Sequence, residues 1–152
     1  MLMACIRLLI LQNFERTATR LKNSPIILFD AECVLCSANA QFVLKHDKVG
    51  YFRLAAMQGE VGAALYRENG IDPEDPSSMI VIDGSHVRQD SDAVLSIYEG
   101  LGYPWRLVGV FRLAPRLIRD PIYRWIARNR YRLFGKRESC WIAPPEYRSR
   151  IL

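Results

Sequence analysis

The chain has 152 residues, half of them hydrophobic and 24% charged, which is the length and balance of one globular domain rather than of a multidomain or disordered chain. No apolar run reaches the roughly eighteen residues of a membrane span, and four cysteines are too few for a secreted disulfide scaffold, so a reducing, cytoplasmic location is expected. The formal net charge of +5 is concentrated between Arg112 and Arg137, where nine Lys or Arg residues accompany one acidic residue, Asp120.

Residues 1–24 are expected to form an N-terminal extension, and residues 25–152 the folded domain. The first residues lack the charged start and the small-residue cleavage site of a signal peptide. Their apolar spacing fits a short amphipathic helix, although a start codon assigned too far upstream explains the segment equally well.

The first half of the domain is predicted to contain a β-α-β unit and a second helix. Four consecutive apolar residues at 26–29 indicate a strand buried on both faces. A helical pattern covers residues 33–46, a second strand is expected at 49–54, and a second helix at 58–69. Gly70 follows that helix in the position of a left-handed cap.

The next elements are predicted to be two strands and a helix. Residues 79–82 form the third strand, Asp83-Gly84 is a hairpin signal, and a short fourth strand surrounds Val87. Ser91 is expected to be the N-cap of a helix that extends to Tyr98. A right-handed crossover makes the first two strands parallel, and the tight turn makes the last two antiparallel. This order of elements predicts an α/β fold with a thioredoxin-like β-α-β plus β-β-α core.

Two further helices are expected to form a C-terminal helical appendage. Pro104 precedes a helix at 105–113, and Asp120-Pro121 is expected to cap and start a helix that ends at Gly135. Their apolar residues need a surface to cover, so we expect them to pack on the core: Trp105, Leu107, Val110, Phe111, Ile122, Trp125, Ile126 and Phe134.

The pair Cys33-x-x-Cys36, placed directly after the first strand, is the strongest chemical signal. Two thiols three residues apart on a helix lie within disulfide reach, and the helix N-terminus stabilises a thiolate on the first. Cys36, one turn further into the helix, is expected to be more buried and to resolve a mixed disulfide by attacking Cys33. The alternative interpretation is two small hydrophobic residues in the first turn of a core helix.

Two acidic residues lie close to the cysteine pair. Asp30 could accept the proton of Cys36 during exchange, or it could serve as an ordinary turn or cap residue. Glu32 is expected to point to solvent and to oppose a thiolate on Cys33 by raising its pKa. Together with the uncharged Val34-Leu35 dipeptide, this predicts a reducing or mildly poised couple.

No cofactor and no metal ion are expected. A structural zinc site needs four ligands, usually in two short-spaced pairs, and the candidates beyond the one pair are isolated in the sequence: Cys5, His46, His86 and Cys140. Cys140 follows a basic stretch and could be a third redox partner, but an unpaired surface thiol explains it better. His46 and His86 are expected to be solvated.

A basic stripe, which consists of Arg124, Arg128, Arg132 and Lys136, recurs every four residues along the last helix. Interleaved aromatic residues are compatible with a nucleic-acid surface, but the same spacing is typical of the solvated face of any helix. We favour the solvated face. Nucleic acid is therefore not expected as a partner, whereas an acidic protein could be recruited by the stripe.

The run from Phe29 to Cys36 resembles the Asp-x-x-Cys-x-x-Cys signature of the DCC family of thiol-disulfide oxidoreductases. Segments 91–94 and 129–135 and the tail cysteine Cys140 are similar to that family too, in the same order. The resemblance covers residues 26–145 and implies a thioredoxin-like fold and protein-disulfide reductase activity. One departure from the wider thioredoxin group is that Ser77-Ser78 replaces the proline before the third strand, which puts a conventional peptide-docking groove in doubt.

The sequence therefore predicts dithiol–disulfide exchange on protein or small-molecule disulfides, with Cys33 as nucleophile and Cys36 as resolving thiol. The alternative is a non-catalytic interaction module in which the cysteines are structural and the basic helix binds an anionic partner.

Overall fold

In the computed structural model, which describes residues 24–71 and 79–152, strand β1 (Ile26–Phe29) lies inside a four-stranded sheet. The strand order is β2-β1-β3-β4, with β2 at Arg53–Ala56, β3 at Ile80–Asp83 and β4 at His86–Gln89. β1 pairs in parallel with β2 and antiparallel with β3, and β4 pairs antiparallel with β3. The predicted strand directions are thus confirmed.

Both faces of the sheet are covered, which explains why β1 is apolar throughout. Successive side chains of a strand point to opposite faces, so Ile27 and Phe29 join one buried cluster and Leu28 joins another. Helices α1 (Val34–His46) and α3 (Asp90–Gly100) contribute to the first cluster. Helix α2 (Glu60–Glu68) contributes Tyr66 to the second. These layers form the α/β, thioredoxin-like core expected from the sequence.

The strand predicted at 49–54 lies further along the chain, at β2. The carboxylate of Asp47 accepts the backbone N–H groups of Tyr51 and Phe52 at 3.0 and 2.8 Å. These bonds hold residues 47–52 in a turn, so the strand begins only at Arg53. The second helix likewise starts later than predicted, at Glu60, because the backbone of its N-cap Gly59 is extended (φ −82°, ψ 157°).

The two predicted capping residues of the C-terminal half cap nothing and contact each other. The hydroxyl of Ser91 donates to the carboxylate of Asp120. The N-cap of α3 is Gln89, and helix α4 (Arg116–Phe134) begins before Asp120, with Pro121 inside it. A proline removes one helical hydrogen bond. The carbonyl that loses its partner belongs to Leu117, whose side chain is exposed, so water can solvate it.

The expectation that the C-terminal apolar residues cover the core is wrong for six of the eight. A 3-10 helix (Trp105–Leu113) precedes α4. Trp105 in the 3-10 helix and Ile126 in α4 are only partly exposed. The others are between 45% and 63% exposed: Leu107, Val110, Phe111, Ile122, Trp125 and Phe134. Residues three apart share a face of a 3-10 helix, so in this segment Leu107 and Val110 lie on one face and Trp105 and Phe111 on another.

The chain end returns to the core after α4. A second short 3-10 helix (Pro145–Arg150) follows, and the Leu152 backbone N–H donates to the carbonyl of Leu54 at 2.8 Å. Arg150 pairs with the buried carboxylate of Asp47. None of the helices in the described ranges 24–71 and 79–152 is long and apolar enough to cross a membrane.

Candidate active site

Cys33 is the N-cap of α1, directly after the end of β1. Its extended backbone (φ −78°, ψ 125°) lets its Sγ accept the backbone N–H of Cys36 at 3.2 Å. A sulfur at the N-cap faces the unpaired N–H groups and the positive end of the helix dipole, which favour a thiolate. The first part of the predicted chemistry, a thiolate site at the helix start, therefore has its geometry in place.

The pKa values of the two thiols are shifted in opposite directions. A hydrogen bond from the Cys36 thiol, together with the Cys36 backbone N–H and the charge of Arg130, outweighs burial and lowers the pKa of Cys33 from 9.0 to about 7. The same hydrogen bond to Cys33, with burial, raises the pKa of Cys36. The expected rise in the pKa of Cys33 through Glu32 is wrong. The carboxylate of Glu32 pairs with Lys136 Nζ at 2.8 Å, so its charge is compensated.

The relative burial of the two cysteines is the reverse of the prediction. Cys33 is fully buried, whereas Cys36 is partly exposed. The cause is the cover segment, residues 135–141, which follows α4. Its Arg137 backbone N–H donates to the carbonyl of Glu32 at 2.7 Å, and its Trp141 N–H to the carbonyl of Ala31 at 3.1 Å. Within this segment, Lys136 forms an isolated antiparallel β-bridge with Cys33.

Asp30 ends β1 and is buried at the centre of a hydrogen-bond network. One carboxylate oxygen accepts the Glu32 backbone N–H at 2.9 Å and Gln58 Nε2 at 2.5 Å. The other accepts Arg130 Nη2 at 2.7 Å and the hydroxyl of Tyr131. Burial alone would raise the pKa of Asp30, but these hydrogen bonds and the positive charge of Arg130 lower it. Asp30 is therefore an anion whose two oxygens are both engaged, and Cys33, rather than Asp30, caps α1.

A cavity of about 410 Å³ opens beside the dithiol between α1, α3 and α4, with Cys36 in its wall. The Asp30–Arg130 pair lies at its edge, and most of the remaining lining is apolar. Tyr123 also lines it, and its hydroxyl accepts the backbone N–H of Met79 at 2.9 Å; burial raises the pKa of Tyr123 to about 12. The cavity gives a small molecule a route to Cys36.

Comparison with known proteins places this geometry in a family. The family model described as DCC1-like thiol-disulfide oxidoreductase matches residues 27–136, most of the chain and the whole of the site up to Lys136. The chain belongs to the DCC1-like thiol-disulfide oxidoreductase family. Members of the family are expected to act on disulfides.

Two curated relatives support the assignment to the DCC1-like family. The uncharacterized protein YuxK of Bacillus subtilis is 34% identical over 127 residues, covering 84% of this chain and 93% of that protein. A chloroplastic DCC family protein of Arabidopsis thaliana is 37% identical over 117 residues, covering 76% of this chain and 68% of that protein. No solved structure matched the chain.

The other residues singled out from the sequence do not belong to the DCC-type dithiol. Cys140 is an exposed free thiol in the cover segment. His46 contacts Phe42 and Trp105 through its ring and bonds the carbonyl of Phe42 at 2.8 Å, so it is not simply solvated as expected. His86 is exposed on β4, and Cys5 lies outside the described residues.

The four residues of the basic stripe are all exposed, as the solvated-face interpretation predicts. Arg124 pairs with Asp90 at 2.7 Å and Lys136 with Glu32 at 2.8 Å. Lys136 lies beyond the end of α4 at Phe134, in the cover segment, so the expectation that all four residues lie along the last helix is wrong for Lys136.

Sequence analysis missed three side chains of the site: Gln58, Arg130 and Tyr131. Arg130 lies between residues of the stripe and within the family-like segment 129–135, but the sequence assigned it no role in the site. It follows Tyr123, Ile126 and Ala127 at the i, i+3, i+4, i+7 spacing of one helix face. An arginine on an otherwise apolar or aromatic face needs a buried partner, and this was the signal that could have found it.

Proposed function

We propose that this DCC-family protein reduces disulfides by dithiol–disulfide exchange, with Cys33 as nucleophile and Cys36 as resolving thiol. The observation that carries the proposal is the position of Cys33 Sγ at the N-terminus of α1, where the Cys36 N–H donates to it and its pKa is lowered to about 7. The thiolate is the reactive form in exchange. A thiol with a pKa near ambient pH combines a useful thiolate fraction with good nucleophilicity.

In the proposed reaction the Cys33 thiolate forms a bond to one substrate sulfur, and the substrate S–S bond breaks. The departing thiolate takes the proton of Cys36. The Cys36 thiolate then attacks Cys33 Sγ, forms the Cys33–Cys36 disulfide and releases the second half of the substrate as a thiolate, which takes a proton from solvent. The dithiol loses two electrons and the substrate gains them, so a dithiol reductant must restore the protein after each turnover.

Two features of the site shape this proposal. Cys33 is fully buried, so exchange requires the cover segment to separate from residues 31–34 or the sulfur to turn towards the cavity. Asp30 is proposed to serve the site by holding Arg130 close to the dithiol. Direct transfer of the Cys36 proton to Asp30 would require the carboxylate to release one of its hydrogen bonds and to overcome its lowered pKa.

The alternative, a non-catalytic module that binds an anionic partner through the basic stripe, is less well supported because Arg124 and Lys136 already pair with acidic residues of this chain. We also propose a reducing compartment for the protein, since a dithiol must stay reduced to act as a reductase. The chloroplastic relative suggests that this compartment need not be the cytoplasm.

The test is reduction of insulin and of bis(2-hydroxyethyl) disulfide by four proteins: wild type, Cys33→Ser, Cys36→Ser and the control Cys140→Ser. Turnover should be lost in the first two variants and retained in the control. In a single turnover Cys36→Ser should accumulate a mixed disulfide on Cys33, and Cys33→Ser should accumulate none. Equal rates in all four proteins would refute the proposed disulfide reductase activity. If a mixed disulfide is trapped only on Cys36, then Cys36 is the nucleophile and Cys33 the resolving thiol.

A further inference from the structure

The cavity beside Cys36 is large enough to hold an organic group. Its volume of about 410 Å³ exceeds the roughly 150 Å³ of an apolar protein cavity that binds benzene, and it lies within the range of ligand pockets. Apolar side chains from several elements line it: Leu35, Phe42, Met57, Met79, Val94 and Ile126. A substrate group bound here would lie next to the partly exposed thiol of Cys36.

Among the residues that the structure describes, the charged groups of the cavity lining are Asp30 and Arg130, and they pair with each other at 2.7 Å with both side chains buried. The polar side chains are engaged with neighbours as well, since Asn39 contacts Met79 Sδ and Tyr123 accepts the Met79 N–H. A charged substrate group would lose its hydration here without gaining a counter-ion.

We propose that this cavity selects the substrate, an uncharged organic disulfide that carries an aromatic or aliphatic group, which binds in the cavity with its S–S bond beside the dithiol. The inference rests on the proposed exchange reaction and names its substrate class. Because Cys36 and not Cys33 lines the cavity, the reaction given above requires Cys33 Sγ to turn towards the cavity when the disulfide is bound. Two electrons then pass from the Cys33–Cys36 dithiol to the bound disulfide, which leaves as two thiols.

The experiment compares two uncharged dialkyl disulfides, benzyl 2-hydroxyethyl disulfide and bis(2-hydroxyethyl) disulfide. Each rate is divided by the rate of the same disulfide with dithiothreitol alone, which removes intrinsic reactivity. The wild-type protein should prefer the benzyl compound in kcat/KM by roughly ten- to a hundredfold, the factor that corresponds to burial of a phenylalanine-sized group. Oxidised glutathione, which is charged, should react more slowly than either.

Variants on one helix assign the preference to the cavity. Ala127 lines the cavity, so Ala127→Phe, which fills the space, should lower kcat/KM for the benzyl disulfide much more than for the hydroxyethyl disulfide and thereby abolish the preference, and Ile126→Ala should weaken it. Ile122→Ala is the matched control, because Ile122 is one turn away on α4, is 57% exposed and does not line the cavity. An equal effect of Ile122→Ala and Ile126→Ala, or no benzyl preference in the wild type, would overturn the inference.

A binding measurement separates this inference from the proposed function. The thioether benzyl 2-hydroxyethyl sulfide has no S–S bond and cannot react, so calorimetry reports only its binding to the reduced protein. Binding that Ala127→Phe abolishes supports the cavity, whereas absence of binding contradicts it. Binding without reduction of any disulfide would overturn the exchange reaction and leave an apolar binding site.

Discussion

Asp30, at the end of β1, and Arg130, 100 residues later near the end of α4, form a buried ion pair in which Arg130 Nη2 donates to Asp30 Oδ2 at 2.7 Å. The pair connects the strand that leads into the dithiol with the helix that closes the site over it. The charge of Arg130 favours the thiolate form of both cysteines and helps to lower the pKa of Cys33, while the pKa of Cys36 remains raised by its hydrogen bond to Cys33 and by burial. Arg130 thus supplies positive charge where thiolates form during exchange.

Asp30→Asn is expected to destabilise the protein by about 3–5 kcal/mol, because it leaves the Arg130 guanidinium buried without its counter-charge. A residue that only capped a helix would lose less than about 1 kcal/mol in this substitution. Urea denaturation measures the difference. The double variant Asp30→Asn/Arg130→Leu should recover much of the lost stability, since no unpaired charge remains.

The same variants test whether Asp30 takes part in exchange. If it accepts or positions a proton, exchange by Asp30→Asn should be slow at a temperature where the variant is folded. A normal rate under those conditions would remove Asp30 from the mechanism and leave it a structural role.

The fold could be read from the sequence where local signals and tertiary packing agree. The apolar run at 26–29 and the Cys33 helix start lie where expected. The hairpin turn lies one residue later than predicted, at Gly84-Ser85 between the paired residues Asp83 and His86, and Gly84 at its first position has a positive φ of 59°, which glycine adopts without strain. Side-chain hydrogen bonds determined other boundaries. Asp47 delayed the second strand through hydrogen bonds that no periodicity reveals.

Of the candidate site, only the cysteine pair could be predicted from the sequence. The Cys33-x-x-Cys36 spacing indicated the dithiol, and the family resemblance placed it in a thioredoxin-like fold. The burial order was wrong because the cover segment, a stretch without helical or strand periodicity, lies over Cys33 from more than 100 residues away along the chain. A contact of this kind leaves no local pattern in either segment.

Cys33 should titrate at about 7 in the reduced protein, as followed by the ultraviolet absorbance of the thiolate. The transition should be missing in Cys33→Ser. Cys36→Ala should raise the pKa of Cys33, because it removes the hydrogen bond that lowers it most. An unchanged transition in Cys36→Ala would contradict the assigned thiol–thiolate hydrogen bond.

This titration also affects stability, with a defined sign. The folded pKa of Cys33 lies below the ordinary value of 9.0, so the folded state binds the proton less tightly than the unfolded state. The resulting stabilisation is complete above about pH 9 and is lost as the pH falls through 7. Reduced wild type should therefore lose more stability than Cys33→Ser between pH 9 and 6 in matched urea titrations.

Loosening the cover segment should expose Cys33. The Trp141 ring packs edge-on against Phe29, with ring centroids 6.0 Å apart, so Trp141→Ala removes the main side-chain anchor of the segment. In a background without the other thiols, this variant should increase alkylation of Cys33 by a maleimide at least about tenfold, the factor for about 1.4 kcal/mol of easier opening. Mass spectrometry at several time points gives the rate.

Ile142→Ala is the control for the cover segment, because Ile142 is the next residue and is 79% exposed. It should leave the alkylation rate unchanged. If Trp141→Ala also has no effect, Cys33 is reached from the cavity side, and Ala127→Phe should then slow its modification.

The redox potential is expected to be reducing. A strongly oxidising dithiol has a strongly stabilised thiolate, with a pKa of about 3.5 and a redox potential of about −120 mV. The dithiol of thioredoxin has a pKa of about 7 and a potential of about −270 mV. The pKa of about 7 for Cys33 therefore predicts a potential between about −270 and −200 mV. Equilibration with glutathione buffers, read by alkylation and mass shift, measures it. A value near −120 mV would contradict the proposed direction of electron flow.

The basic stripe is expected to be dispensable for chemistry. Replacement of Arg124, Arg128 and Arg132 by Gln should leave reduction of bis(2-hydroxyethyl) disulfide unchanged, because none of the three lines the cavity or contacts the dithiol. If the stripe steers an acidic protein substrate, the triple variant should slow exchange with that substrate alone, and salt should slow the wild type in the same way.

Nucleic-acid binding by the stripe makes a different prediction. Since Arg124 and Lys136 are paired with acidic residues, Arg128 and Arg132 would contribute a loss of affinity of only roughly tenfold between 50 and 200 mM salt. Tight oligonucleotide binding with a much steeper salt dependence, abolished in the triple variant, would show that the stripe is a nucleic-acid surface after all.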